Sequence, residues 1–279
     1  MGLQVSSMRL RLGVNPIPIA IVVIIILYSF VVSLFAPYDP SAWNMVPRDQ
    51  PPSLKYPFGT TSLGQDLFWL CSYALRNSII MSLLVSSIGI LIAIIMGVIA
   101  GYVRGRLSSV MTFIIDSFCA LPALPILVLL FMMMREHLTP ITMALWIAIF
   151  SWSWPARNIR SIIFSLRERG FTYIAKFSGY TIFDLIRYHY LPYIYGLVVT
   201  NFLGIMLWAI GIETTLAVFG LISLTTPTIG LTIFWAMNYQ AIARGIWWWI
   251  FFPSALLILF IASAYFVSLD LYRRVYLRL

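Results

Sequence analysis

Two carboxylates, two histidines, two cysteines and two lysines are the residues whose types invite a search for chemistry, and their spacing argues against most of it. Glu213 and Asp116 stand in otherwise apolar surroundings. A carboxylate there is costly, so by default it faces a cavity or a partner; the plainer reading puts each near a helix end, against headgroup water or backbone amides. Cys71 and Cys119 give neither a disulfide framework nor a Cys-x-x-Cys pair, and His137 and His189 lie far apart, so the metal ligands expected are none. No nucleophile triad or pair of working carboxylates can be assembled, and the catalytic residues expected are none. Lys55 and Lys176 are followed by Tyr56 and Phe177, so the Gly-x4-Gly-Lys-Ser/Thr loop that cradles phosphates is absent. Nucleotide energy, if used, must enter from another chain.

The residues that organise the chain lie between Arg167 and Pro192, a charged and then amphipathic stretch between two long apolar ones. Thr181 and Asp184 have the Ser/Thr-x-x-acid spacing of a capped helix start, and Tyr180 and Leu185 that of a hydrophobic staple. Ile182, Leu185, Ile186 and His189 then share a face at i, i+3, i+4 and i+7, as do Phe171, Ile174, Ala175 and Ser178 upstream. Gly179 separates the two patterns, and Pro192 can open the next helix at no cost in hydrogen bonds. The spacing predicts a helix–glycine–helix module outside a membrane, docking a separate soluble engine. The alternative is an amphipathic helix lying on lipid headgroups.

Of the 279 residues, 61% are hydrophobic and 10% charged, with a mean hydropathy of +0.94. That composition excludes a soluble domain. The net charge of +9 is too scattered for a phosphate-tracking face, so no nucleic-acid partner is expected. The chain divides into an N-terminus (1–14), spans at 15–36, 77–103, 107–134, 138–156, 191–213 and 245–269, outer segments at 37–76 and 214–244, a loop at 157–190 and a C-terminus (270–279). The first apolar run reads as a retained span rather than a cleaved signal. With six spans, 13 of the 18 Lys and Arg residues fall on the side that holds both termini and the 157–190 loop, which makes that side cytoplasmic. His137 and His189 then lie on opposite sides. Most of the ten Trp and fifteen Tyr residues suit interfacial belts and packing. Met206, Trp208 and Glu213 are candidates to line a translocation path.

Gly179, then His189, Leu191 and Pro192, resembles the cytoplasmic coupling-loop motif EAA-x3-G-x9-H-x-L-P of bacterial and archaeal ABC importer permeases. Where that motif has Glu-Ala-Ala this chain has Tyr173-Ile174-Ala175, so only Ala175 is retained. Phe35-Ala36-Pro37-Tyr38-Asp39-Pro40 and Pro57 to Asp66 are similar to the C-type permease subunit of dipeptide, oligopeptide and nickel importers, with Gln65 in place of an arginine. Asp116, Ala120 and Pro122 resemble its D-x3-A-x-P, and Glu213 to Gly220 its EAALSFLG, with two alanines widened to threonine.

The resemblance implies an all-α integral membrane protein with six transmembrane helices and a cytoplasmic coupling helix, the type I ABC importer permease fold. It implies an ATPase-coupling set of Ala175, Lys176, Gly179, Asp184, His189, Leu191 and Pro192, with Lys176 or nearby arginines standing in for the missing glutamate. Gly59, Thr60, Gly64 and Asp66 would belong to an outer motif seating a binding protein, or to a structural plug. The partners implied are a second homologous permease, two cytoplasmic ATPase subunits, an extracytoplasmic solute-binding protein and membrane lipid. No cofactor would be bound here, ATP and Mg belonging to the ATPases. Peptides are the solute implied, with oligosaccharides and nickel carried by related systems. The rival class is an ion-driven secondary transporter, which calls for inverted repeats and paired ionisable residues; neither is found in the sequence. The setting implied is the cell membrane of a bacterium or archaeon.

Overall fold

The computed structural model describes residues 16–134, 137–223 and 226–276. Expectations resting on Arg9, Arg11, Arg135, Glu136 and Arg278, or on the side chains of Lys176, Ile182 and Arg274, lie outside the described residues.

Among the described residues the secondary structure is helical, apart from one isolated bridge between Thr60 and Asp66. Helix α1 (Pro16–Phe30) and a 3-10 turn (Val32–Phe35) precede a turn-rich segment and the long α2 (Leu67–Tyr102). Next come α3 (Arg106–Ala120), α4 (Ala123–Met133), α5 (Pro140–Ser151) and α6 (Ser153–Arg167). Short α7 (Gly170–Phe177), α8 (Ile182–Asp184) and a π-helical turn (Leu185–Tyr190) lead into α9 (Leu191–Val218), α10 (Ile229–Asn238) and α11 (Trp248–Tyr276). Helices are what an apolar chain of this kind can form in lipid, because each satisfies its own backbone polar groups.

Among the described residues four stretches are long and apolar enough to cross a bilayer: Pro16–Phe35, Leu67–Tyr102, Leu185–Val218 and Trp248–Arg273. The apolar pair α3 and α4, bent by 76°, makes a fifth only when the two helices are taken as one crossing. The six spans expected from hydropathy are not all continuous helices, and two of them, 107–134 and 138–156, are interrupted next to prolines. Pro122 has no N–H for the carbonyl of Phe118 and drives Leu121 to extended geometry (φ −69°, ψ 130°), so the 107–134 span is broken rather than straight. Pro155 has none for the carbonyl of Ser151, and the 138–156 span is interrupted at Trp152. The 12-residue α5 alone reaches only about 18 Å, whereas α6 runs on to Arg167 through residues expected in a loop.

Other boundaries shift for local reasons. Helix α2 begins at Leu67 rather than 77 because the Asp66 carboxylate caps it, accepting from the Phe68 N–H at 3.0 Å. At about 54 Å it exceeds the roughly 30 Å hydrocarbon thickness, so its ends stand clear of the apolar layer. Helix α9 continues to Val218, past the expected end at 213, and α11 starts at Trp248 and runs beyond 269. The 214–244 region is no simple surface segment, since Ile229, Leu231 and Ala236 of α10 are buried.

Helix α2 is the axis of the bundle. Its Gly97 and Gly101, one turn apart, face α6 so closely that a Cβ on either would come within 2.7 Å of the Ala156 or Arg160 carbonyl oxygen. Small residues on one stripe let two backbones pack at van der Waals distance, which is how helices gain cohesion where lipid offers no hydrophobic drive. Val85 and Ala93 of α2 join Ile147 of α5, Ile159 of α6 and Ile194 of α9 in one buried cluster.

Candidate functional site

The 167–192 module is built on the far end of α2. Arg167, the last residue of α6, is buried, and its Nη1 donates to the carbonyls of Tyr102 (3.2 Å) and Val103 (3.0 Å). Those are carbonyls at the C-terminal end of α2, which lack helical partners and carry the negative end of its dipole, so a guanidinium is well placed there. Arg167 Nε also donates to Glu168 at 3.0 Å, and Glu168 receives Arg104 Nη2 (3.0 Å) and the Tyr173 hydroxyl (3.1 Å). Bonding by Arg167 first, then Tyr173, holds the Glu168 carboxyl below its ordinary value. Tyr173 occupies the place of the motif's glutamate, and the acid in this neighbourhood is Glu168, five residues upstream. The charge run at the start of the module was the sequence signal for this hub; its bonding partners were not legible.

Gly179 ends α7 at φ +81°, the left-handed geometry that disfavours a side chain. The Tyr180 N–H reaches back to the Ala175 carbonyl at 3.1 Å, the bond of a Schellman-type end. Thr181 and Asp184 then form the reciprocal capping box, with Thr181 N–H to Asp184 Oδ2 at 3.1 Å and Asp184 N–H to Thr181 Oγ1 at 3.2 Å. The Thr181 hydroxyl, and after it the Thr181 N–H, holds the Asp184 carboxyl below its ordinary value.

Beyond Asp184 the expected α-helical face is replaced by a wide π turn, closed by the Leu191 N–H on the Ile186 carbonyl. The turn ends at Pro192, which has no N–H to carry the four-residue ladder onward. Leu185 is fully buried, while Ile186 and His189 are half-buried. His189 stacks on Phe171 of α7 (centroids 6.0 Å, 27°) and meets Tyr180 edge-on (5.4 Å, 68°). Phe171 in turn stacks on Tyr193 of α9 at 5.9 Å. His189 therefore packs α7 onto the base of α9. Ala175 is buried and Leu191 exposed. Ile174, Phe177, Phe183 and Tyr188 leave an apolar face uncovered.

At the other end of α2 the four outer-motif residues are interior. Thr60 is fully buried; its hydroxyl donates to the Pro47 carbonyl (2.7 Å) and accepts from the Gln50 N–H (2.8 Å). Asp66 is 4% exposed and also accepts from the Tyr38 hydroxyl at 3.1 Å. Gly59 and Gly64 turn the chain at φ +76° and +72°. Gln65, in the arginine position, donates to the Ser41 carbonyl at 3.0 Å. Arg244 ties this segment to the one before α11 through Asp49 (2.7 Å) and Ser62 (3.0 Å), and Trp248 Nε1 donates to the Thr60 carbonyl (3.0 Å). These residues give the segment between α1 and α2 its shape and present little surface themselves.

The candidates for a path separate. Trp208 lines a cavity of about 290 Å³, together with Asn201, Gly204 and Ile205 on the same face of α9. Met206 and Glu213 do not join it. Met206 is buried against Leu75, Ile79 and Phe260, on the opposite side of α9. Glu213 is buried beneath α10, accepting from the Thr228 hydroxyl (2.6 Å) and the Ser78 hydroxyl (3.4 Å). Its neighbour Asn77 holds the Pro227 carbonyl at 2.8 Å, so the carboxylate is the centre of a knot joining α2, α9 and α10. A hydropathy pattern cannot assign faces of a helix that is apolar all round, which is why these three residues were grouped. Asp116 pairs with Arg157 of α6 at 3.4 Å, both about half exposed. Cys71 is buried and Cys119 partly so, both with free thiols. No group of three metal-ligating side chains forms among the described residues.

The fold defines a multi-pass, all-helical membrane protein whose buried polar residues clip helices together at the two ends of one long central helix. Residues 89–278, two thirds of the chain, match the family described as the binding-protein-dependent transport system inner membrane component, and the chain belongs to that family. It is similar to the dipeptide transport system permease protein of Bacillus subtilis, with 29% identity over 88% of this chain and 74% of the relative. The oligopeptide transport system permease protein of the same organism is 27% identical over 70% of this chain and 64% of its own length. The nickel transport system permease protein of Escherichia coli is 30% identical over 51% of each. The chain spans less than two thirds of the last two. It is a permease component of the inner membrane, in a family that works with a binding protein.

Proposed function

We propose that this chain is one of two permease subunits of an ATP-driven importer, forming half of the translocation path for peptides delivered by a solute-binding protein. The observation that carries the reading is the 167–192 module, anchored to α2 through Arg167 and to α9 through His189 and Tyr193, with an uncovered apolar face. Two ATPase subunits, holding the ATP and Mg, would dock on that face, with α7 as the coupling helix and Ala175, Gly179, Asp184, Leu191 and Pro192 setting its shape. Closure of the ATPases would then move α2, α6 and α9 together as a lever, an alternating-access change between rigid bodies. The module, Arg104, Arg106 and both termini would be cytoplasmic, with α5 and α6 supplying the sixth crossing. Peptides are chosen as the solute because two of the relatives described above carry peptides in their names.

The test is co-purification of the chain with the cytoplasmic ATPases. Gly179→Pro and His189→Glu should abolish it while the protein still inserts in the membrane. Uptake that persists in ATP-depleted vesicles under an imposed ion gradient would instead identify a secondary transporter.

A further inference from the structure

The α3–α4 and α5–α6 interruptions open onto one cavity. The α3–α4 break contributes Cys119, Leu121 and Ala123, and the α5–α6 break contributes Ser151 and Ser153. These two breaks, more than thirty residues apart, are brought face to face across Asn201, Gly204 and Trp208 of α9. Interrupted helices leave backbone groups without helical partners, and at membrane depth that is tolerated where the backbone is buried in protein or lines a water-filled space. Discontinuous helices meeting near the middle of a bilayer are also how transporters build solute sites.

The lining sets the chemistry of the occupant. Phe118, Phe150, Trp154 and Trp208 supply aromatic wall, and no charged side chain lines the cavity. Asp116 and Arg157 pair with each other, and the Arg157 guanidinium lies 5.9 Å from the Trp154 ring centroid. The polar side chains are largely committed inside the protein: the Ser151 hydroxyl donates to the Ala148 carbonyl (2.9 Å), and Asn201 Nδ2 donates to the Leu197 carbonyl (2.8 Å) while its Oδ1 accepts from Asn158 (3.3 Å). A sugar, with a hydroxyl on nearly every carbon, would find few uncommitted side-chain donors or acceptors there, and each hydroxyl left unpaired carries a cost. Nickel would look for several imidazole, thiolate or carboxylate donors, and Cys119 stands alone. The volume, about 290 Å³, lies at the small end of ligand clefts.

We infer that this cavity, where the broken helices α3–α4 and α5–α6 meet the Asn201–Trp208 face of α9, is a side-chain subsite of the path. It receives one uncharged, apolar or aromatic side chain of a short peptide in transit. The inference rests on the peptide-importer reading above and goes beyond it by fixing which side chains the path favours and which residues select them.

The test uses cells whose only peptide importer is the assembled transporter, with radiolabelled dialanine and diphenylalanine as probes. A Cβ on Gly204 would meet no atom within 4 Å, so Gly204→Leu projects into open space. It should lower the uptake ratio of diphenylalanine to dialanine about tenfold, the scale of pocket discrimination by size. Trp208→Ala enlarges the cavity and should shift the ratio the other way; a folding or assembly defect would lower both peptides alike. Independently, diphenylalanine should slow maleimide labelling of Cys119, the buried Cys71 being out of reach. Wild-type uptake of both peptides, with the ratio unmoved by either variant and Cys119 unprotected, would overturn the subsite while leaving the importer reading intact. That result would give the cavity to a lipid chain or to the second permease. Wild-type cells that take up neither peptide would instead overturn the peptide reading, and the subsite with it.

Discussion

The Arg167 guanidinium donates to the Tyr102 carbonyl at 3.2 Å and to the next carbonyl, that of Val103, at 3.0 Å, joining the last residue of α6 to the end of α2 across 65 positions of sequence. Through this fork any displacement of the 167–192 module reaches the central helix directly. Arg167→Met should therefore destabilise the assembled complex by about 2–3 kcal/mol, the usual worth of hydrogen bonds to a charged group. It should also lower solute moved per ATP hydrolysed more than it lowers hydrolysis. Arg167→Lys should restore only part, because one ammonium must serve both carbonyls and the Glu168 carboxylate, which the arginine holds with separate nitrogens, Nη1 and Nε. The measurement is the transport-to-hydrolysis ratio alongside thermal unfolding.

The turn at Gly179 makes a narrower prediction. At φ +81° a Cβ costs about 1–2 kcal/mol, while the space around it is open, with no atom within 4 Å. Gly179→Ala should thus weaken ATPase association about tenfold without changing membrane insertion, read by titrating the purified ATPase against the solubilised permease.

Packing along α2 predicts the reverse pattern. A Cβ at Gly101 would lie 2.7 Å from the Arg160 carbonyl, and backbone cannot move aside as a flexible side chain can. Gly101→Val should cost at least about 1–3 kcal/mol and yield aggregated protein on extraction, judged by size-exclusion profile. Gly211→Ala, in open space on α9, should be neutral or slightly stabilising.

The knot under α10 distinguishes shape from hydrogen bonding. Glu213→Gln retains an acceptor for the Thr228 hydroxyl, whereas Glu213→Leu removes the acceptor of the buried Thr228 and Ser78 hydroxyl hydrogens, whose oxygens still accept from the Leu231 and Ile229 N–H groups. The leucine variant should be less stable than the glutamine variant by about 1–3 kcal/mol in thermal unfolding of the purified protein.

The capping box sets a pH response. The Asp184 carboxyl is held below its ordinary value in the folded protein and returns to about 4 when unfolded. Its stabilising effect is complete above that ordinary value and is lost as pH falls through the lowered one. Protease cleavage between residues 177 and 185 should be flat from pH 8 to about 5 and rise only below about 4. Thr181→Ala, which removes the hydroxyl donor, should increase cleavage at every pH.

What the sequence determined by itself was whatever depends on neighbours in the chain. The apolar runs, the Thr181–Asp184 cap and the Gly179 turn are legible, since each acts on residues within about a turn. The breaks beside Pro122 and Pro155 are not legible in hydropathy, because a sum over a window measures burial in lipid and is blind to a change of direction. Packing of the helices sets Trp208 toward a cavity and turns Met206 and Glu213 toward other helices. It alone seats Arg167 on Tyr102 and gathers Cys119, Ser153 and Asn201 around one space. On a helix apolar all round, lipid and protein interior look alike to the sequence; the choice between faces is made by close packing and by the few polar groups that must find partners.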